Sequence, residues 1–156
     1  MRQPARLFFA LSLAGVVMSA TAAEPSAPTT MKTALVIHGG AGVIERGSLS
    51  ADEEQRVRAD LDAALDAGNA VLARQGTALD AVVAAIRVLE ESPRFNAGKG
   101  AVFNAKGGHE LDASIMEGHT QRAGAVAGVT TVRSPVTLAR AVMERSKHVM
   151  LAGAPA

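Results

Sequence analysis

Two amphipathic helices are predicted in the first half of the chain. Apolar residues recur at helical spacing after Ser50 and again after Thr77, and an acidic residue follows each of these positions by three, as in an N-terminal capping box. Gly76 is expected to end the first helix and Pro93 the second. Because the turn between them is short, the helices should lie antiparallel, each covering a sheet with its apolar face.

Short apolar segments predict strands on both sides of this helix pair. The uninterrupted apolar run 32–38 is typical of a strand buried on both faces. Further on, segments 101–103 and 111–116 flank the glycine-containing sequence 105–108, which favours a hairpin. Segment 123–132 predicts another strand, whose side chains are small enough for a neighbour to pack closely on it.

A third helix and a last strand are predicted after this sheet. Ser134 is the expected N-cap of the helix, with Pro135 at its first position, and segment 148–152 is expected to begin a strand. The order is therefore one strand, two helices, several strands and a helix. That order predicts an α/β fold with a layered sheet rather than a doubly wound one.

The first thirty residues read as an export signal and a linker. A basic start precedes a mainly apolar stretch of twelve residues, 7–18, and small residues follow it at 19–23. Twelve residues are too few for a membrane-spanning helix, which needs about 20. We therefore predict a signal peptide at 1–22, a linker at 23–30, a folded domain at 31–156 and a periplasmic location; an uncleaved membrane anchor is the alternative.

Composition excludes several classes of function. Aromatic residues make up only 3% of the chain, which argues against binding single-stranded nucleic acid by base stacking. Without cysteine there is no disulfide, no thiolate metal site and no cysteine nucleophile. The formal charge of +1 includes Arg2 and Arg6 of the leader, so the domain itself is nearly neutral. We expect neither nucleic acid nor a membrane as a partner.

The glycine-rich sequence 38–42 (HGGAG) is the first candidate site. A glycine-rich turn after a strand lets backbone N–H groups converge on an anion or a developing oxyanion. The sequence lacks the third glycine of a dinucleotide-binding fingerprint, and the chain has neither a P-loop nor the G-x-S-x-G elbow of esterases. A purely structural tight turn is the alternative interpretation.

The end of the second helix and the loop after it, residues 89–100, form the second candidate site. Carbonyl oxygens left unpaired at a helix C-terminus, together with loop carbonyls, can hold a hard monovalent cation, although a capped helix and a surface loop would have the same sequence. The chain offers no convincing nucleophile, because the predicted N-cap role of Thr77 explains that residue fully. We therefore predict no catalytic residue within this chain.

Four sequence strings occur in an order that resembles one family. They are IHGGAG at 37–42, FNAGKGAVF at 95–103, ELDASIM at 110–116 and AGAVAGV at 123–129. This is similar to the N-terminal (α) part of plant-type L-asparaginases, also called isoaspartyl peptidases or threonine-type β-aspartyl-peptidases. The resemblance implies an N-terminal-nucleophile hydrolase with an αββα sandwich, of which this chain would be only the N-terminal portion, ending before the catalytic Thr.

The resemblance also implies roles for individual residues. His38, Gly39, Gly40 and Gly42 would form the loop beside the nucleophile, and Asn96 would lie near the catalytic Thr. A structural sodium ion would be held by backbone carbonyls in a segment matching Leu89, Glu90, Ser92, Phe95, Ala97 and Lys99. Catalysis would need no cofactor. The expected partner is a β subunit carrying the Thr, in an (αβ)2 assembly.

The implied reaction is the cleavage of the side-chain amide of L-asparagine and of β-aspartyl dipeptides, after the precursor has cleaved itself before the Thr. On this view the 156 residues alone are inactive, and their sheet leaves an apolar face open. Two alternatives remain at the level of sequence. One is a non-catalytic remnant or periplasmic module that binds a small anion on the same scaffold, and the other is a glycosylasparaginase with the same Thr chemistry.

Overall fold

The computed structural model describes residues 32–40 and 47–154, and the predicted signal peptide and linker lie outside these residues. All helices and strands belong to one compact unit within Thr33–Ala156. Over the described residues, no helix combines the length and the apolar character that a membrane crossing requires.

Both helices predicted in the first half are present. Helix α1 spans Ala51–Ala73 and helix α2 spans Ala78–Glu91. The predicted caps are formed, because Ser50 Oγ accepts a hydrogen bond from the Glu53 N–H at 3.2 Å and Thr77 Oγ1 accepts one from the Asp80 N–H at 3.1 Å. Each cap satisfies a backbone donor that has no partner within its own helix.

Helix α1 packs on α2 rather than on the sheet. A Cβ atom added to Gly68 of α1 would lie 3.1 Å from the carbonyl oxygen of Ala81 in α2, so a glycine is needed where the two backbones approach. The buried residues of α1 are absent from the cluster that covers the sheet, to which α2 contributes Leu79 and several partly buried side chains. The prediction that both helices cover a sheet is therefore wrong for α1.

The sheet has three strands in the order β1-β2-β3. Strand β1 (Leu111–Glu117) pairs antiparallel with β2 (Arg122–Val129), and β2 pairs in parallel with the short β3 (Met150–Ala152). A bulge interrupts the first pairing after Leu111, and there the Gly128 N–H donates to Asp112 Oδ1 at 2.7 Å. The Asp112 side chain thus fixes the bulge.

Helix α3 (Pro135–Arg145) packs directly on β2 and makes the core. Its fully buried Val136 and Ala139 meet Val126 and Ile115 on the inner face of the sheet. A Cβ atom on Gly124 would collide with the Ala139 carbonyl and lie 2.6 Å from the Met143 nitrogen. This close contact agrees with the small side chains predicted for the strand.

The opposite side of the sheet is apolar and largely uncovered by the described residues. Since side chains alternate along a strand and paired residues share a face, one set points away from α3: Ser114, Met116, Ala123, Ala125, Ala127, Met150 and Ala152. We call this set the sheet outer face. Met116 is 60% exposed and Met150 55%.

Two predicted strands are absent. Segment 32–38 makes none of the inter-segment backbone hydrogen bonds found among the described residues, and Val36 is 89% exposed, so it is not a strand buried on both faces. Segment 101–103 likewise has no strand partner, although the predicted turn after it forms, with Asn104 Oδ1 accepting from the N–H groups of Lys106 and Gly108. Apolar side chains alone do not make a strand where no neighbouring edge pairs with it.

Candidate functional site

The glycine-rich segment lies against α1 and the loop that follows α2. A Cβ atom on Gly39 would be 3.2 Å from side-chain carbons of both Leu61 and Phe95, so the absence of a side chain lets this segment pack closely. Gly40 has φ = +126°, a conformation that favours glycine, and its N–H donates to His38 Nδ1 at 3.3 Å. Gly42 lies outside the described residues.

Residues 92–102, which we call the Asn96 loop, follow the end of α2. The side-chain oxygen of Asn96 accepts a hydrogen bond from the Val102 N–H at 3.0 Å, closing this loop on itself. The Nδ2 donors of Asn96 are not used by that bond, and the residue is exposed. Phe95 lies within contact distance of Gly39 and brings the glycine-rich segment against the Asn96 loop, although more than fifty residues separate the two in sequence.

Carbonyl oxygens converge inside the Asn96 loop around the short 3-10 turn Gly98–Gly100. A Cβ atom on Gly98 would collide with the carbonyl oxygen of Glu90, and one on Gly100 with that of Phe95 while lying 2.9 Å from that of Ser92. The two glycines thus let main-chain oxygens pack against the turn. Main-chain oxygens are the type of ligand that a hard monovalent cation prefers, so the donor chemistry of these residues is compatible with the sodium site, which stays a prediction.

The remaining predicted ligands are compatible with that site. The carbonyls of Leu89, Phe95 and Ala97 each accept one backbone hydrogen bond, at 3.2, 2.8 and 3.0 Å, and a carbonyl oxygen has a second lone pair. Lys99 is exposed. Among the described residues no three acidic or histidine side chains are grouped as metal ligands, so an ion here would be held by the main chain.

A cleft of about 350 Å³ adjoins Asn96. It lies between the end of α2, the Asn96 loop, the start of β1 and the first turn of α3. Its lining combines apolar side chains with a few polar groups: Ile86, Glu90, Asn96, Ala97, Gly98, Ala101, Glu110, Leu111, Asp112, Ala113, Ser114, Pro135 and Val136. The volume suits a small polar ligand.

A polar cluster that the sequence did not reveal anchors the Asn96 loop to α1. Asp60 accepts hydrogen bonds from Ser92 Oγ at 2.5 Å and from Arg94 Nη1 at 2.9 Å. The bond from Ser92, with a further contribution from Arg94, lowers the pKa of Asp60 below its usual value. Arg94 Nε also lies 3.4 Å from a carboxylate oxygen of Glu53. These contacts span 32 to 34 residues of sequence, which no local pattern could indicate.

The Glu90 side chain fixes the position of a second part of the structure, the start of α3. Although charged, this residue is only 4% exposed, and its carboxylate accepts hydrogen bonds from the Val136 N–H at 2.9 Å and from Ser134 Oγ at 2.5 Å. Glu90, rather than the predicted Ser134 side chain, therefore caps α3. One signal was available: Glu90 continues the helical spacing of the apolar residues Leu79 and Ile86.

Comparison with known proteins places the sequence in a family. Residues 31–156 match the family model described as Asparaginase. The chain is 51% identical over 122 residues to the isoaspartyl peptidase of Escherichia coli K12, covering 78% of this chain and 38% of the relative. It is 50% identical over 121 residues to the plant-type L-asparaginase of Pyrobaculum calidifontis, covering 78% of this chain and 39% of the relative.

A eukaryotic relative shows the same extent of similarity. The putative isoaspartyl peptidase/L-asparaginase of Dictyostelium discoideum is 49% identical over 122 residues, which cover 78% of this chain and 35% of that protein. The chain thus spans little more than a third of the length of these curated relatives.

Proposed function

The chain belongs to the asparaginase family, and on this basis we propose that it is the N-terminal part of a hydrolase that cleaves the side-chain amide of L-asparagine and the β-linkage of isoaspartyl dipeptides. The observation that carries the proposal is the meeting of the glycine-rich segment and the Asn96 loop at the contact of Gly39 with Phe95. Two of the four strings that resemble the family therefore lie side by side.

The nucleophile is a Thr at the start of a β segment that these 156 residues do not include. Its hydroxyl attacks the side-chain or β-linked carbonyl, its own α-amine accepts the hydroxyl proton, and ammonia or an amino acid leaves with a proton. Water then hydrolyses the acyl-enzyme to aspartate. An α-amino group has a pKa of about 7.7–8.0, which suits a base that works near neutral pH. The proposed reaction needs no cofactor.

The residues of this chain shape the site around that nucleophile. His38, Gly39 and Gly40 would lie on one side of it, and Asn96, whose amide donors are not used by the bond to Val102, on the other. When bound, a sodium ion supplies positive charge that orders the carbonyls around Gly98 and Gly100. The sheet outer face supports a second sheet packed upon it, which would complete an αββα sandwich with a β subunit. Assembly as (αβ)2 and export to the periplasm through residues 1–22 complete the proposal.

An assay of the complete protein, produced from its own gene, tests this function. The wild type should hydrolyse L-asparagine and β-aspartyl-leucine but not α-aspartyl-leucine. Asn96→Ala should lower kcat at least tenfold, since donors preorganised at an active site contribute about 10²–10³ in rate when they contact developing charge. Asn104→Ala is the matched control.

The control is informative because the two asparagines occur in similar strings, FNAG at 95–98 and FNAK at 103–106. Asn104 accepts two backbone hydrogen bonds and Asn96 one, so a purely structural role would make Asn104→Ala at least as harmful. Absence of hydrolysis with all three substrates would contradict the proposed activity. A folded protein stabilised only by small anions would instead favour a binding module.

A further inference from the structure

Glu90 connects two parts of the molecule, the first turn of α3 and the Asn96 loop. Its side chain caps α3 through Val136 and Ser134, while its backbone lies under the Asn96 loop: a Cβ atom on Gly98 would be 2.9 Å from both the Cα and the Cβ of Glu90. One residue therefore contacts the first turn of α3 on one side and the inside of the loop on the other.

Because the Glu90 carboxylate is charged and buried, it depends on the hydrogen-bond donors that it contacts. None of the ion pairs among the described residues includes Glu90, so its compensation comes from hydrogen-bond donors at the positive end of α3. A buried carboxylate keeps such donors because the alternative is an unpaired charge away from water. The end of α2 is thus fixed relative to α3, and Ser92, two residues later, is fixed to α1 by Asp60.

We propose that Glu90 is a positioning residue that holds the Asn96 loop in shape through its cap on α3. The loop is held at two points, by Glu90 against α3 and by Asp60 against α1. Asn96 follows both attachment points in the sequence. Loss of the Glu90 grip frees the end of α2, so the carbonyls around Gly98 and the side chain of Asn96 lose their fixed places. The catalytic consequence rests on the proposed function; the structural one does not.

Hydrogen exchange followed by mass spectrometry on the complete protein tests the inference. Glu90→Gln should accelerate exchange about tenfold in peptides covering 96–102 as well as in those covering 134–139, because a charge-assisted bond is replaced by a weaker one. The matched control is Glu91→Gln, which removes a carboxylate from the same helix turn but one bonded to the exposed Arg133. It should change neither segment.

Acceleration confined to 134–139 would overturn the proposal, since Glu90 would then cap α3 and position nothing else. If Glu90→Gln does not fold, Ser134→Ala removes one donor and should accelerate both segments to a smaller degree, about threefold; an effect on 134–139 alone again overturns the inference.

Steady-state kinetics supply the second readout. Glu90→Gln should lower kcat about tenfold with KM changed less than twofold, because a displaced Asn96 affects the reacting carbonyl more than substrate binding. A wild type without hydrolytic activity would refute the proposed function, whereas the exchange data would still decide the role of Glu90.

Discussion

Gly98 illustrates at the residue scale how tightly the candidate site is built. It has φ = +50°, and a Cβ atom there would collide with the carbonyl oxygen of Glu90. Gly107 shares the left-handed conformation, with φ = +77°, but has nothing within 4 Å of an added Cβ. Substituting each glycine in turn therefore distinguishes the cost of backbone strain, which both positions share, from the cost of the steric collision, which only Gly98 has.

We predict that Gly98→Ala destabilises the protein by about 3 kcal/mol and Gly107→Ala by about 1 kcal/mol. Urea unfolding of the complete protein measures both. Equal losses would show that the Glu90 carbonyl yields easily and that the close packing of the Asn96 loop is unimportant for stability.

A pH dependence is expected from the anchor at Asp60. The pKa of this carboxyl group is lowered first by the hydrogen bond from Ser92 and then by Arg94, so the folded state favours the ionised form more than the unfolded chain does. A depressed folded pKa contributes stability that is present above the unfolded value, 3.8, and lost as the pH falls through the folded value.

Asp60→Asn should therefore cost about 1 kcal/mol near pH 7 and progressively less below pH 3.8. Asp62→Asn, an exposed carboxylate on the same helix, should change stability by less than about 0.5 kcal/mol. Chemical unfolding at pH 7 and pH 3 measures the difference. A deficit for Asp60→Asn that stays constant between the two pH values would mean that the ionised carboxylate is not what anchors the loop.

At the scale of elements, the contact between α3 and β2 depends on Gly124. The Ala139 carbonyl and the Met143 nitrogen occupy the space that a side chain would need. Gly124→Ala should push α3 away from the sheet and cost about 3 kcal/mol, whereas Gly118→Ala, in an open turn, should cost less than about 1 kcal/mol. Thermal unfolding of the two variants tests this. Similar melting temperatures would contradict the backbone contact as the basis of this packing.

Local signals predicted the elements whose causes are local. Ser50 and Thr77 start their helices where expected, and the strand at 111–116 and the small residues of 123–132 appear as β1 and β2. Segments 32–38 and 101–103 are not strands, because pairing needs a neighbouring edge that side-chain pattern does not encode. Ser134 occupies the predicted N-cap position of α3, but the side-chain hydrogen bond to the helix comes from Glu90, 46 positions before Val136.

In the candidate site, too, features with local causes could be predicted and long-range contacts could not. The glycine-rich segment and Asn96 could be named from their strings, and the structure brings that segment against the Asn96 loop at Phe95. The residues that hold them, Asp60, Arg94 and the Glu90 side chain, act across long sequence separations through geometry alone. The sodium ligands remain predictions, as does the position of Asn96 close to a nucleophile.

For the whole molecule, the exposed apolar side chains of the sheet outer face are the feature that the proposed function has to explain. Exposed methionines and mostly half-buried alanines on one side of a sheet favour packing against another apolar surface. With a β subunit in place this face would be covered, and without it the chain should aggregate. The open face is therefore the structural observation behind the proposed claim that a Thr-bearing polypeptide accompanies this chain.

Intact mass and N-terminal sequencing of the protein purified from the cells that naturally produce it test that claim most directly. We predict two polypeptides: one that begins near residue 23 and contains the sequence described here, and a second that begins with Thr and remains bound to it. A single polypeptide that ends at residue 156, or a partner that does not begin with Thr, would contradict the account.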